Sequence, residues 1–150
     1  MIKKIIGITA LVAVGLFLAI QLIPYGHQHS NPPVQQEPNW SDTQTRDLAA
    51  RACFDCHSNE TVWPWYSNIA PISWLVQHDV EEGRGRLNFS EWGRSAGREG
   101  HELGEISEVV SEGAMPPPYF LIMHPNAKLS AAEKQALING LQATARAASK

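Results

Sequence analysis

Cysteine is scarce in this chain, and clustered positive charge is absent from most of it. Among 150 residues only Cys53 and Cys56 are cysteines, too few for a multi-disulfide scaffold. Lysine and arginine total 12 against 15 acidic residues, a formal charge of −3. Beyond the N-terminus no basic cluster exceeds two neighbours, which excludes a nucleic-acid footprint. No apolar/polar alternation is long enough for a strand, and there is no internal repeat. The length allows one modest domain.

What the chain does have is one long apolar run. Ile5 to Ile23 is interrupted by polar side chains only at Thr9 and Gln21. As a helix rising 1.5 Å per residue, such a run reaches roughly 28 Å, about the thickness of a hydrocarbon core. Lys3 and Lys4 precede it, so by the positive-inside rule the rest of the chain crosses the membrane. Gln21-Leu22-Ile23-Pro24-Tyr25 offers no small-x-small cleavage site, which favours an uncleaved anchor over a removed signal peptide. No cysteine lies nearby to accept lipid. The expectation is a single-pass protein of the inner (cytoplasmic) membrane, with residues 1–23 as anchor and the remainder on the periplasmic, extracytoplasmic side. Without Lys3 and Lys4 the remainder carries −5, a charge that suits a solvated surface.

Pro24, Pro32, Pro33 and Pro38 mark residues 24–40 as a semi-rigid spacer. Residues 41–150 read as an all-α domain. A first helix spans about Gln44–His57, with Ser41, Asp42 or Thr43 as cap. A second spans about Ile72–Glu82, with Ile72, Leu75, Val76 and Val80 on one face and Gly83 as its stop. A short helix begins near Ser90. A longer one, about Arg98–Glu112, turns Leu103, Ile106, Val109 and Val110 inward and ends at Gly113. Ala114–Asn126 reads as a Pro-rich loop. Ser130-Ala131-Ala132-Glu133 is a capping box opening the last helix, which buries Leu137, Ile138 and Leu141.

Both cysteines fall in Cys53-Phe54-Asp55-Cys56-His57, the C-x-x-C-H attachment motif for c-type haem. The spacing has a physical reason. Positions i, i+3 and i+4 share a helix face. The two sulfurs can then form thioethers to one porphyrin while the imidazole stands beneath its iron. A thioredoxin-like redox pair would need a βαβ setting, which is missing. A zinc site would need more ligands, and a plain disulfide leaves His57 without a role.

The stretch from Cys53 through Trp63-Pro64-Trp65-Tyr66 to Trp74 resembles the bacterial haem-binding domain family of small cytochrome c-like proteins with one C-x-x-C-H motif. The likeness continues through Asp79-Val80, Gly83-Arg84, Leu87-Asn88-Phe89-Ser90-Glu91-Trp92, Gly113-Ala114-Met115-Pro116 and His124-Pro125. It covers roughly Asn31–Leu141. It implies a small cytochrome c-like helical domain around one covalently held haem c, a membrane-tethered location and electron transfer. The family often has a tryptophan in the final helix, where this chain reads Ile138-Asn139-Gly140-Leu141.

A His/Met haem iron needs a methionine sulfur on its far face. Met115 precedes Pro116-Pro117-Pro118, which presses it toward extended geometry and stiffens its loop. A Met-Pro pair downstream of the motif also resembles how many small cytochromes c present their distal ligand. The expected metal ligands are therefore His57 and Met115. Met123 reads as core. His124, before Pro125, is the best histidine rival; His78 and His101 read as solvated, and His27 and His29 as spacer residues. Trp63, Trp65, Trp74 and Trp92 are dense enough to wall an apolar porphyrin, although ordinary core packing accounts for some of them. A backbone carbonyl near Pro64 to Pro71 is a candidate acceptor for the His57 ring N–H, the sequence not fixing which one. Arg84, Arg86 and Asn88 are candidate donors to the propionates, Arg86 foremost.

The leading expectation is a one-electron carrier rather than an enzyme, exchanging electrons with redox proteins at the membrane. Two other classes stay open: a haem-based sensor or ligand-binding module in which Met115 dissociates, and a peroxidase-like accessory domain with an open distal face served by His124.

Overall fold

The structure is a computed structural model describing residues 1–95 and 99–148. Among them there are helices and no strands. They are α1 (Ile2–Ile20), α2 (Thr43–Ala52), α3 (Phe54–His57), α4 (Ile72–Arg86), α5 (Glu99–Glu112), α6 (Pro118–Met123) and α7 (Ala131–Ala148). Three single 3₁₀ turns occur at Trp65–Asn68, Trp92–Ser95 and Pro125–Ala127. Two compact units emerge, one from residues 1–30 and 63–81, the other from 31–62 and 82–150.

In the first unit α1 buries none of its side chains against protein. It is long and apolar enough to cross a membrane. The chain leaving it is tied down at once. Gln21 donates from Nε2 to the Ala70 carbonyl at 3.0 Å and accepts the Ala70 N–H at 2.9 Å. Gly26, at φ +84°, passes so close to Ser73 that a Cβ would meet its carbonyl at 2.6 Å. His29 stacks on Trp63 with ring centroids 4.6 Å apart. The buried residues here are Gly26, Ser67, Ala70, Ser73 and Val80.

The second unit holds an apolar core. Leu48, Ala49 and Ala52 of α2 meet Leu137, Leu141 and Ala145 of α7, with Phe54, Leu87, Phe89, Trp92 and Leu129 completing it. Small residues let the two helices close: a Cβ on Gly140 would overlap Thr45. That contact explains why this chain has glycine in its last helix, since a large side chain at position 140 would drive α2 away. Asp42 caps α2, its carboxylate accepting the Thr45 N–H at 2.7 Å. The Ser130/Glu133 box caps α7 in both directions, at 2.8 Å and 3.3 Å. Gly113, at φ +78°, ends α5, as expected of a left-handed stop.

Several elements depart from the sequence reading. The first helix is not continuous to His57; it breaks at Cys53 and restarts as α3. Gly83 does not stop α4, which runs on to Arg86. Ile72 and Leu75 are exposed, whereas Ser73 and Val80 are buried, so the inward face of α4 is rotated from the one its aliphatic residues suggest. The stretch 114–126 contains α6, because Pro118 sits at the first helical position, where its missing N–H costs nothing. The expected start at Arg98 lies outside the described residues, as do the side chains of His101 and Leu103. Within the proline-marked stretch 24–40, residues 31–40 carry specific contacts. Gln36 bridges Glu91, and Trp40 packs on Phe89 with centroids 5.4 Å apart. Glu37 forms a two-bond fork with Arg46, both bonds 2.8 Å.

Candidate functional site

The pentapeptide lies where α2 gives way to α3. At Cys53 the backbone leaves the helix, with φ −125° and ψ −32°. The Cys53 carbonyl then accepts the N–H groups of Cys56 at 3.1 Å and His57 at 2.8 Å, closing one fresh turn. Cys53 itself packs against the apolar core, while Cys56 and His57 come up against α4 at Gly83. Phe54 is buried in that core, stacked on Phe89 at 5.5 Å with the Arg46 guanidinium over its ring.

The two thiols are unbridged and partly buried. Burial pushes the Cys53 thiol up to about 12, with the charge of Cys56 adding to the effect. A redox-active C-x-x-C needs a depressed thiol instead. Among the described residues no three His, Cys, Asp or Glu side chains gather as a metal cage. A zinc site of several protein ligands therefore finds no support, whereas a porphyrin brings four of its iron's ligands with it.

The imidazole of His57 is held from α4. Its Nδ1 lies 2.9 Å from the Gly83 carbonyl oxygen and 3.2 Å from that of Leu87. Both partners only accept, so Nδ1 carries the proton and Nε2 keeps its lone pair. Burial lowers the His57 pKa against the opposing pull of these two bonds, and the charge of Arg86 lowers it further. A neutral imidazole with one nitrogen anchored to a carbonyl and the other free is the form that ligates iron. By this test the residues present fit a haem. The acceptor is not near Pro64 to Pro71, where the sequence reading placed its candidate. It is the end of α4, at Gly83, and Leu87 just beyond it.

Gly83 has a second role that its reading as a helix stop concealed. A Cβ there would overlap the Cys56 carbonyl and come within 3.0 Å of the Cys56 Cβ. Only glycine lets α4 pass this close beneath the turn. Arg84, next along, is a clamp: Nε donates to Ser58 O at 2.7 Å, and Nη2 reaches Thr61 Oγ1 at 2.9 Å and Asn31 Oδ1 at 3.0 Å. Asn88 is similarly engaged, donating to Asn59 Oδ1 and accepting the Ser90 N–H, both at 2.9 Å. Both are committed to holding the loop after the motif. Arg86 differs. Its side chain is 80% exposed and meets Glu82 only at 3.4 Å.

Asp55 organises the back of the turn. Its carbonyl accepts from Thr61 Oγ1 at 2.8 Å and its carboxylate from the Val62 N–H at 3.1 Å. The second carboxylate oxygen lies 3.9 Å from His124 Nδ1. His124 is thereby placed beside Asp55. There it stacks on Phe120 with centroids 4.0 Å apart.

Met115 follows the α5 stop; its N–H donates to the Val109 carbonyl at 3.1 Å. Its side chain is 37% exposed, so it is no space-filling core residue. The α6 helix after it has no buried residue and exposes Tyr119, Ile122 and Met123; the expectation that Met123 is core is corrected. Trp92 is a core residue, parallel to Phe89 at 5.9 Å. Trp63, Trp65 and Trp74 belong to the first unit. There Trp63 pairs with His29, Trp65 is exposed, and the buried Trp74 indole N–H meets no acceptor among the described residues. His29 is thus more than a spacer residue, its Nε2 also lying 3.0 Å from the Ser67 carbonyl. His78 is exposed as expected.

A family model described as a haem-binding domain matches residues 15–143. No curated protein and no solved structure matches the chain.

Proposed function

The chain belongs to the haem-binding domain family, and from that membership we propose that it is a membrane-tethered monohaem c-type cytochrome that carries single electrons. Cys53 and Cys56 hold the porphyrin through thioethers, His57 Nε2 is the proximal ligand and Met115 the distal one. Haem so bound supplies a one-electron Fe(III)/Fe(II) couple. The observation that carries this reading is the anchoring of His57 Nδ1 on the Gly83 and Leu87 carbonyls. It fixes the tautomer, orients the ring and leaves one nitrogen for a metal beside two unbridged thiols on the same turn.

The chain's own residues do the rest. The core side of the turn, through Phe54, makes the mount rigid, and a rigid mount lowers the reorganisation that accompanies each electron. Tyr119, Ile122 and Met123, a few residues after Met115 in the chain, offer exposed apolar surface, of the kind that marks a ligand or partner contact. Arg86, largely exposed and paired with Glu82 only at 3.4 Å, is the cation offered to a propionate. The α1 helix, with Lys3 and Lys4 held inside, keeps the 41–150 domain at the outer face of the inner membrane. His124 Nδ1 lies 3.9 Å from the Asp55 carboxylate, a pairing that ligation of iron through that nitrogen would forgo, which favours Met115 over His124 as sixth ligand. It also weighs against the peroxidase-like reading.

The test is the absorption spectrum of the oxidised, full-length protein. A low-spin ferric spectrum with a methionine-sulfur-to-iron charge-transfer band is expected. A high-spin spectrum would move the assignment to a sensor or a peroxidase-like domain.

A further inference from the structure

Outside α1, the longest stretch without a formally charged residue runs from Thr61 to His78 with histidine counted neutral, and it includes Thr61 to Gln77. It also holds three of the five tryptophans, Trp63, Trp65 and Trp74, with Tyr66 among them. An uncharged segment with this many aromatic residues would normally be buried. Here much of it is not: Trp65 is 71% exposed, Ile72 48%, Leu75 46% and Ile69 37%.

Its position in the first unit suggests why. Ala70, in the middle of this stretch, is bonded in both directions to the side chain of Gln21. Gln21 is the residue that ends α1. The same Gln21 amide also donates to the Phe17 carbonyl in the last turn of α1 at 3.0 Å. The exposed apolar residues from Trp65 to Leu75 are thereby held at the level where the apolar helix stops. If α1 spans, that level is the water–lipid boundary, where tryptophan and tyrosine are favoured.

We infer that residues 63–75 form an apron that rests in the interfacial layer of the bilayer entered by α1, with Trp65, Ile69, Ile72 and Leu75 inserted among the lipid headgroups. The inference rests on the reading of α1 as a membrane anchor. Its occupant is lipid, because the surface is continuous with the membrane helix through Gln21. No lysine or arginine lies in the stretch, so the contact is apolar and aromatic. It therefore needs no anionic lipid and persists in high salt. The apron would fix the tilt of the first unit on the membrane rather than leave it on a free tether.

Spin labels on the full-length holoprotein in phosphatidylcholine vesicles test it. Labels are introduced at Trp65→Cys and Ile72→Cys, at Leu11→Cys within α1, and at the exposed His78→Cys. The chain without an introduced cysteine reports any labelling of Cys53 or Cys56. Accessibility to oxygen is compared with accessibility to a water-soluble nickel complex. The expected result is an oxygen-to-nickel ratio highest for Leu11→Cys, several-fold lower but still raised for Trp65→Cys and Ile72→Cys, and lowest for His78→Cys. A high ratio at Leu11→Cys with water-like ratios at positions 65 and 72 overturns the apron while leaving the anchor standing. A water-like ratio at Leu11→Cys overturns both. Shielding of 65 and 72 that appears only in native membranes also overturns it, in favour of a protein partner.

Discussion

The ring nitrogen Nδ1 of His57 stands 2.9 Å from the carbonyl oxygen of Gly83, 26 residues along the chain. The bond ties the C-x-x-C-H turn to α4, and it requires that α4 lie almost against the Cys56 backbone. The space is available only because position 83 has no side chain. Imidazole orientation and glycine are therefore one feature seen from two sides.

Gly83→Ala should accordingly damage the mount. Its Cβ meets backbone, which cannot swing aside, so α4 or the turn must shift, at a cost of about 1–3 kcal/mol. Gly85→Ala is the control, since a Cβ there meets nothing within 4 Å; it should be neutral or up to ~1 kcal/mol stabilising through helix propensity. Denaturant unfolding of both variants, with haem content measured in parallel, checks this. Equal behaviour of the two alanines would contradict it.

Met115→Ala should abolish the sulfur-to-iron charge-transfer band, shift the ferric iron toward high spin and lower the reduction potential, because thioether ligation raises it. Haem should remain attached, since the thioethers and His57 are untouched. His124→Ala should keep the band. The reverse pattern, loss with His124→Ala and retention with Met115→Ala, would exchange the two assignments.

Acid should loosen the last helix before the core. The Ser130 N–H and hydroxyl, then the Arg51 guanidinium, hold the Glu133 carboxyl down to about 2 from its ordinary 4.5. A folded-state pKa below the unfolded one stabilises above pH 4.5, and that contribution is lost as pH falls through this window toward 2. Glu133→Gln keeps an acceptor for the Ser130 N–H and has no proton to gain. Its melting temperature should fall less steeply than that of the unmutated protein between these two pH values. Parallel curves would argue that the box is not intact in solution.

Much of this was legible in the chain. The long apolar N-terminal helix, the all-helical character, the Ser130 box, the Gly113 stop and the inward Leu137, Ile138 and Leu141 follow from local chemistry, which a sequence displays directly. The C-x-x-C-H turn pointed to haem, and the family match agrees. What was not legible depends on which segments meet. Nothing at positions 83 or 87 announces that their carbonyls receive His57, because a carbonyl belongs to every residue. Gly83 looks like a helix stop until the Cys56 backbone is seen beside it, and Gly140 like a weak point until Thr45 is. Ile72 and Leu75 look like a core face by periodicity. Their exposure makes sense only once Ala70 is found tied to the end of α1. Pro118 was read as a loop signal, though the first position of a helix suits it equally.

The most direct test is the mass of the full-length polypeptide, matured in a strain competent for haem ligation and then extracted with acidic acetone. The expected result is a red polypeptide heavier than its sequence by one haem, with residues 1–23 still present, and haem freed by the solvent only in the Cys53→Ser, Cys56→Ser double variant. A colourless chain of unmodified mass, or haem that leaves the unmutated protein with the solvent, would contradict covalent attachment at Cys53 and Cys56.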